Sequence, residues 1–145
     1  MSWVRVWVHF VFTTKNRQRI LKPHELRKEL FEHIKENANK KGIFLDTING
    51  YEEHVHCLIS LSKEITISKT MQMIKGESSY WFNRKENIKN KLSWQDDYWA
   101  VSVSESHLEK VRNYINNQEE HHRGKTFEEE VKEFIKKYNW GYYKQ

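Results

Sequence analysis

The hydrophobic pattern opens on an extended segment. From Trp3 to Thr13 the even positions Val4, Val6, Val8, Phe10 and Phe12 share one face, and Trp3, Trp7, His9 and Val11 take the other with Arg5. Both faces are largely apolar, which predicts a central strand. The polar run TTKNRQRILK ends it. Pro23 then suits the first turn of a helix reaching about residue 41, with Leu26, Leu30, Phe31 and Ile34 as its apolar stripe and Gly42 as its stop. Two strands are expected next, at 43–50 and 54–61, joined by a turn containing Gly50. A helix over about 66–84 repeats Ile67, Met71, Ile74, Ser78 and Trp81 at helical spacing, with Gly76 as a weak point.

After the polar stretch KENIKNKLSWQDD, the alternation of Trp99, Val101 and Val103 in YWAVSVS gives a fourth short strand. A helix at about 106–123 and another at 127–138 follow, the second opened by a capping box of Thr126 and Glu129, with Lys136 and Lys137 in its last turn. The order βαββαβ predicts an α+β fold: a ferredoxin-like antiparallel sheet with helices on one face and additional C-terminal helices. A chain of 145 residues is expected to form a single domain, 1–145. That scaffold hosts unrelated functions, so function must be read from side chains.

Composition narrows the class. Charged residues make up 31% and aromatic residues 14%, so much of the core must come from Trp, Tyr and Phe. A net charge of +5 favours polyanionic partners. Cys57 is the one cysteine, which excludes an internal disulfide and a cysteine-based zinc site and makes it core filler. The N-terminal apolar run lacks a basic lead and a cleavage site, and no 18-residue apolar stretch is present, so a cytoplasmic location is expected.

The candidate chemistry lies in YEEHVHCLIS and HLEKVRNYINNQEEHH. On a strand, His54 and His56 point the same way while Val55 and Cys57 turn to the other side, so two imidazoles can converge on one cation. On the late helix, Leu108, Val111 and Ile115 form the core stripe. Tyr114 and Gln118 lie about 40° apart on one border of it, with His121 on the same flank as a further candidate. His9, on a central strand, reads as a satisfied core histidine rather than another ligand. A cupin-type metal site fits poorly, because helical content is high and the needed later Glu and His are missing from strand positions.

HVH on a strand followed by YINNQ on a helix some 60 residues later resembles the single-tyrosine HUH transposases of small insertion sequences, the IS200-like group. HFVFTTKNR, MIKGESSYWF and NQEEHHRGKTFEEE also resemble that family, and the likeness runs from about Val8 to Tyr138. The resemblance implies a transposase that cleaves and rejoins single-stranded DNA at element ends. Tyr114 would be the nucleophile forming a 5′-phosphotyrosine link, and His54, His56 and Gln118 would be ligands of a divalent metal ion. Two imidazoles and an amide oxygen suit Mg²⁺ or Mn²⁺ better than a closed zinc site, with modest affinity before DNA arrives. It further implies hairpin or single-stranded DNA as partner and a homodimer that shares its active sites. Lys15, Arg17, Lys75, Arg123 and Lys125 are candidates for DNA contacts. The competing expectation is a noncatalytic nucleic-acid-binding protein of the same fold; both predict salt-sensitive binding, and only the first predicts strand breakage.

Overall fold

A computed structural model describes residues 1–138, so the last seven positions of the expected domain, 139–145, lie outside the described residues. The sheet has four strands, β1 (Val6–Thr14), β2 (Phe44–Gly50), β3 (His54–Leu61) and β4 (Trp94–Val103), in the order β2-β3-β1-β4. Every pairing is antiparallel. The helices are α1 (His24–Lys40), α2 (Ile67–Asn83), α3 (Leu108–Asn116), α4 (Gln118–His121) and α5 (Phe127–Tyr138). The predicted α+β fold is therefore present, with β1 and β3 central because both of their faces are apolar enough to be covered.

Two cores result. Val8, Phe10 and Phe12 of β1, with Val55, Cys57 and Ile59 of β3, pack against Leu30, Phe31 and Ile34 of α1 and Met71, Ile74 and Phe82 of α2. The opposite face carries smaller clusters: Trp7 and Leu58 under Leu108 and Ile115 of α3, and Val11 under Phe127 and Val131 of α5. Helices thus cover both faces rather than one, α3 to α5 adding a second layer to the ferredoxin-like unit.

Three boundaries differ from the sequence expectation. β1 begins at Val6, whose partner is Leu61 at the end of β3, so the residues before it have no strand to pair with and Trp3 stays 86% exposed. β4 begins at Trp94, earlier than YWAVSVS; a register irregularity between Phe12 and Thr14 lets Thr14 pair with Trp94, and an edge strand tolerates the polar Gln95, Asp96 and Asp97. The single helix expected over 106–123 is broken at Asn117 (φ −99°, ψ 21°) into α3 and the four-residue α4. The break falls on the second of two successive asparagines, which are poor helix formers.

The expected capping box is present: Glu129 N donates to Thr126 Oγ1 at 3.2 Å, and Thr126 N donates to Glu129 Oε1 at 3.5 Å. Thr126→Ala should cost about 1 kcal/mol. Urea unfolding would measure it, and an unchanged midpoint would refute the contribution of the cap.

Candidate active site

The alternation of β3 aims His54 and His56 away from the α1/α2 core and toward α3 to α5, where both are fully buried. The turn that starts β3 depends on Gly50. A Cβ there would lie 2.1 Å from the carbonyl oxygen of His54, and that same oxygen accepts a hydrogen bond from Tyr51 N at 3.1 Å.

Each imidazole is held from behind through Nδ1. His54 Nδ1 faces Glu53 Oε1 at 2.7 Å, His56 Nδ1 faces His9 Nε2 at 2.9 Å, and His122 Nδ1 faces the Lys125 carbonyl at 2.7 Å. The Nε2 atoms turn inward. Gln118 Oε1 lies 3.0 Å from His54 Nε2 and 3.1 Å from His122 Nε2, and its amide group donates to the Tyr114 carbonyl at 3.3 Å, which fixes the oxygen inward. Glu130 Oε1, from α5, lies 3.2 Å from His56 Nε2, 3.5 Å from His122 Nε2 and 3.6 Å from His54 Nε2.

This arrangement leaves a proton deficit. A neutral imidazole has one N–H, yet His54 and His122 each face an acceptor at both ring nitrogens. Extra protons would fill the gap but would place cationic rings within 4.7 Å, centroid to centroid, in a buried site. A divalent cation among the Nε2 atoms and oxygens resolves it with neutral rings, while Glu53 behind His54 and the Lys125 carbonyl behind His122 are the outer partners that metal-bound histidines adopt. His54, His122 and Glu130 offer ligand atoms within 4.8 Å of one another. The residues present therefore fit a divalent metal ion.

Tyr114 projects from α3 beside these rings, its centroid 5.6 Å from that of His56 and 5.3 Å from that of His121. Its hydroxyl donates to Glu130 Oε2. Burial, then the neighbouring Glu130 charge, push the phenol above its ordinary range, so the resting nucleophile candidate is held protonated. Burial disfavours ionised Glu130, but hydrogen bonds from His122 and His56 outweigh that and keep its carboxyl well below the usual range. His121 Nε2 lies 3.0 Å from Glu130 Oε2 without hydrogen-bond alignment, and has no such partner among the described residues.

Burial, reinforced by the neighbouring His56, lowers His9 to about 3. Burial lowers His56 to about 4 despite the pull of Glu130. Both rings are neutral when folded, so their contribution to stability is complete above the unfolded value of about 6.5 and is lost as the pH falls toward the folded values. His122, raised by Glu130 against its own burial, acts in the opposite sense and offsets part of this. The melting temperature of the metal-free chain should therefore fall from about pH 6.5 toward about pH 4. A flat profile in thermal denaturation would refute the neutral assignment.

A family model described as "Transposase IS200 like" matches residues 2–118. The chain belongs to the IS200-like transposase family. A relative within reach is the ISDra2 transposase TnpA of Deinococcus radiodurans, 26% identical over 115 residues that cover 76% of this chain and 81% of the relative. The fold is similar to a crystal structure of a protein assigned as a transposase, from Deinococcus radiodurans R1, with a TM-score of 0.61, 22% identity and coverage of 81% and 93% of the two chains. It is also similar to a REP-associated tyrosine transposase bound to a REP hairpin, with a TM-score of 0.51, 15% identity and coverage of 81% and 67%.

In this IS200-like transposase, His54, His56, Tyr114 and Gln118 lie together within a single chain, and His121 sits on the rim of the same cluster. His9 is a buried partner behind His56, as the strand pattern implied. The basic candidates are spread around the molecule. Arg17 lies over the Phe127 ring and 3.6 Å from Glu128, Arg123 pairs with Glu120, and Lys125 pairs with Glu133. Lys75 donates to the Asp96 carbonyl at 2.9 Å from α2, whose buried face belongs to the other core. Lys15 is exposed after β1.

Sequence reasoning missed Glu53, His122 and Glu130. The doublet His121-His122 was visible, but helical spacing favoured His121, and only the break at Asn117 with the turn to α5 selects His122 for the interior. Glu130 looked like one more acid of a dipole-matched first turn. A groove of about 380 Å³ lies beside α1 and β2, lined in part by Lys28, Lys35, Asp46 and Asn49.

Proposed function

We propose that this transposase cleaves and rejoins single-stranded DNA at insertion-sequence ends, with Tyr114 as nucleophile and His54, His56 and Gln118 as ligands of Mg²⁺ or Mn²⁺. The observation that carries the reading is the gathering of a phenol, two strand imidazoles and an amide oxygen in one cluster, from segments about 60 residues apart in the chain. Family membership supplies DNA transposition as the reaction class.

The assigned roles follow from the donors. Glu53 and His9 hold the two rings so that both Nε2 atoms face inward, and Gln118 presents its oxygen because Tyr114 O fixes its amide. The cation, when bound, polarises the phosphoryl group and stabilises charge in the transition state. Tyr114 oxygen attacks the phosphorus, the bond from phosphorus to the 3′-oxygen breaks, the phenol proton passes in net through solvent to that oxygen to leave a 3′-hydroxyl, and a 5′-phosphotyrosine link remains. The link conserves the energy of the phosphodiester, so a 3′-hydroxyl can reverse the attack and join new ends without ATP. Exposed aromatic side chains such as Trp3 and Tyr80 suit stacking on unpaired bases, and the net charge of +5 suits phosphate contacts.

The test is incubation of the protein with a labelled single-stranded oligonucleotide carrying an element end, with and without Mg²⁺ or Mn²⁺. A cation-dependent covalent adduct is expected. Salt-sensitive binding without any adduct would favour the noncatalytic reading. Sedimentation of the same samples tests the proposed homodimer.

A further inference from the structure

Two donors at the centre of the site, His122 and Glu130, lie beyond the segment that matches the family model, which ends at residue 118. Neither is on the surface: the Glu130 carboxylate is fully buried and the His122 side chain is 2% exposed. Both are placed by packing. His122 stacks on Tyr51 at 5.5 Å, and Phe127, one helical turn before Glu130, stacks on His54 at 4.2 Å while its helix is anchored by Val11 and Val131.

Four inward atoms, His54 Nε2, His122 Nε2, Gln118 Oε1 and Glu130 Oε1, make contacts of 3.0 to 3.6 Å, and His56 Nε2 reaches the set through Glu130 Oε1 at 3.2 Å. Ligands bound at about 2.1 Å to one ion stand about 3.0 to 3.4 Å apart when adjacent. Hydrogen bonding does not explain the set, since the proton deficit at His54 and His122 is built into it. The second oxygen of Glu130 accepts the Tyr114 hydroxyl.

We propose that, in the DNA-free protein, His122 and Glu130 join His54 and Gln118 in holding one divalent cation, with Glu130 in the ligand position that the scissile phosphate must take and His56 held against the same carboxylate. The proposal rests on the metal-assisted reading above and changes its expectation about the cation. Two imidazoles, an amide and a carboxylate favour Mn²⁺, Co²⁺ or Zn²⁺ over Mg²⁺, and an anionic donor makes binding before DNA arrives tight rather than modest. Glu130 then acts as an internal stand-in for phosphate: one oxygen on the cation, the other on the nucleophile. DNA entry requires α5 to withdraw that carboxylate.

The test is titration of the DNA-free protein with Mn²⁺, reading free ion by electron paramagnetic resonance, for wild type, Glu130→Gln, His122→Asn and Tyr114→Phe. One bound ion is expected. The Glu130 and His122 variants should bind at least about tenfold more weakly, and the Tyr114 variant within about twofold of wild type. Circular dichroism without metal verifies that each variant is folded. A variant that does not fold is replaced by the visible spectrum of Co²⁺ bound to wild type, where four- or five-coordinate bands are expected and weak six-coordinate bands would overturn the proposal. Wild-type affinity in both ligand variants would overturn it as well. A wild type that binds no Mn²⁺ alone, yet forms the DNA adduct when cation and DNA are present, sinks this inference and leaves the transposase reading standing. Tight Mn²⁺ binding with no adduct does the reverse.

Discussion

Tyr114→Phe should abolish covalent capture of single-stranded DNA, lowering adduct formation by at least about a thousandfold. The substitution removes one oxygen from a side chain whose ring contacts with His56, His121 and Phe134 are apolar or edge-on, so the fold should be retained. The lost hydrogen bond is the one to Glu130, and His121 Nε2, already 3.0 Å from the same carboxylate oxygen, is placed to compensate. Loss of chemistry with retained binding is therefore the expected signature. A denaturing gel of labelled oligonucleotide reads the adduct and a filter assay reads binding. Adduct at the wild-type level would remove Tyr114 from its role and direct attention to Tyr51 or Tyr98.

The second large effect is expected from a residue with no side chain. In Gly50→Ala the new methyl would meet three backbone atoms: His54 O at 2.1 Å, His54 C at 3.0 Å and Val55 Cα at 3.0 Å. Backbone cannot step aside as a flexible side chain can, so the β2–β3 turn must open. Overpacking of this kind costs about 3 kcal/mol, near the top of the usual range. The displaced residue is His54 itself, so the substitution should also weaken cation binding and adduct formation, although Gly50 has no side chain to offer to either. Urea unfolding and Mn²⁺ titration check the two parts separately. A variant with wild-type stability would show that the turn can relax without cost.

Much of this was legible in the sequence. The period-two pattern of β1 and β3 and the apolar stripes of α1 and α2 fixed the sheet and its main core, because burial of both strand faces leaves little choice of position. His54, His56, Tyr114 and Gln118 stood out for a different reason: their spacing resembles that of a family, and the structure brings the four side chains into one cluster. Helical geometry kept Tyr114 and Gln118 adjacent even though the predicted helix breaks between them, since the Gln118 amide still reaches the Tyr114 carbonyl.

The illegible part is the inner wall supplied by α4 and α5. A short helix of Gln118–His121, redirected after Asn117, exchanges which member of the His121-His122 pair faces inward, and no periodicity rule anticipates such a turn. Glu130 was disguised by its neighbours Glu128 and Glu129, which serve the helix terminus and its cap. Glu53 was hidden by adjacency, because a residue next to His54 in a strand is expected to point away from it, whereas Glu53 lies in the bend just before the strand and its carboxylate curls back to Nδ1.

The two cores on opposite faces of the sheet give the molecule unequal halves. The α1/α2 side holds most of the large buried residues, whereas α5 rests on the small cluster of Val11, Phe127 and Val131 with the partly buried Trp99 and Phe134, and otherwise on the polar contacts of Glu130. Thermal opening should begin on the weaker side, at a cost well below that of global unfolding. The layer that bears the reactive groups can loosen and reclose over a sheet that never comes apart, so a nucleophile can be uncovered without putting the scaffold at risk.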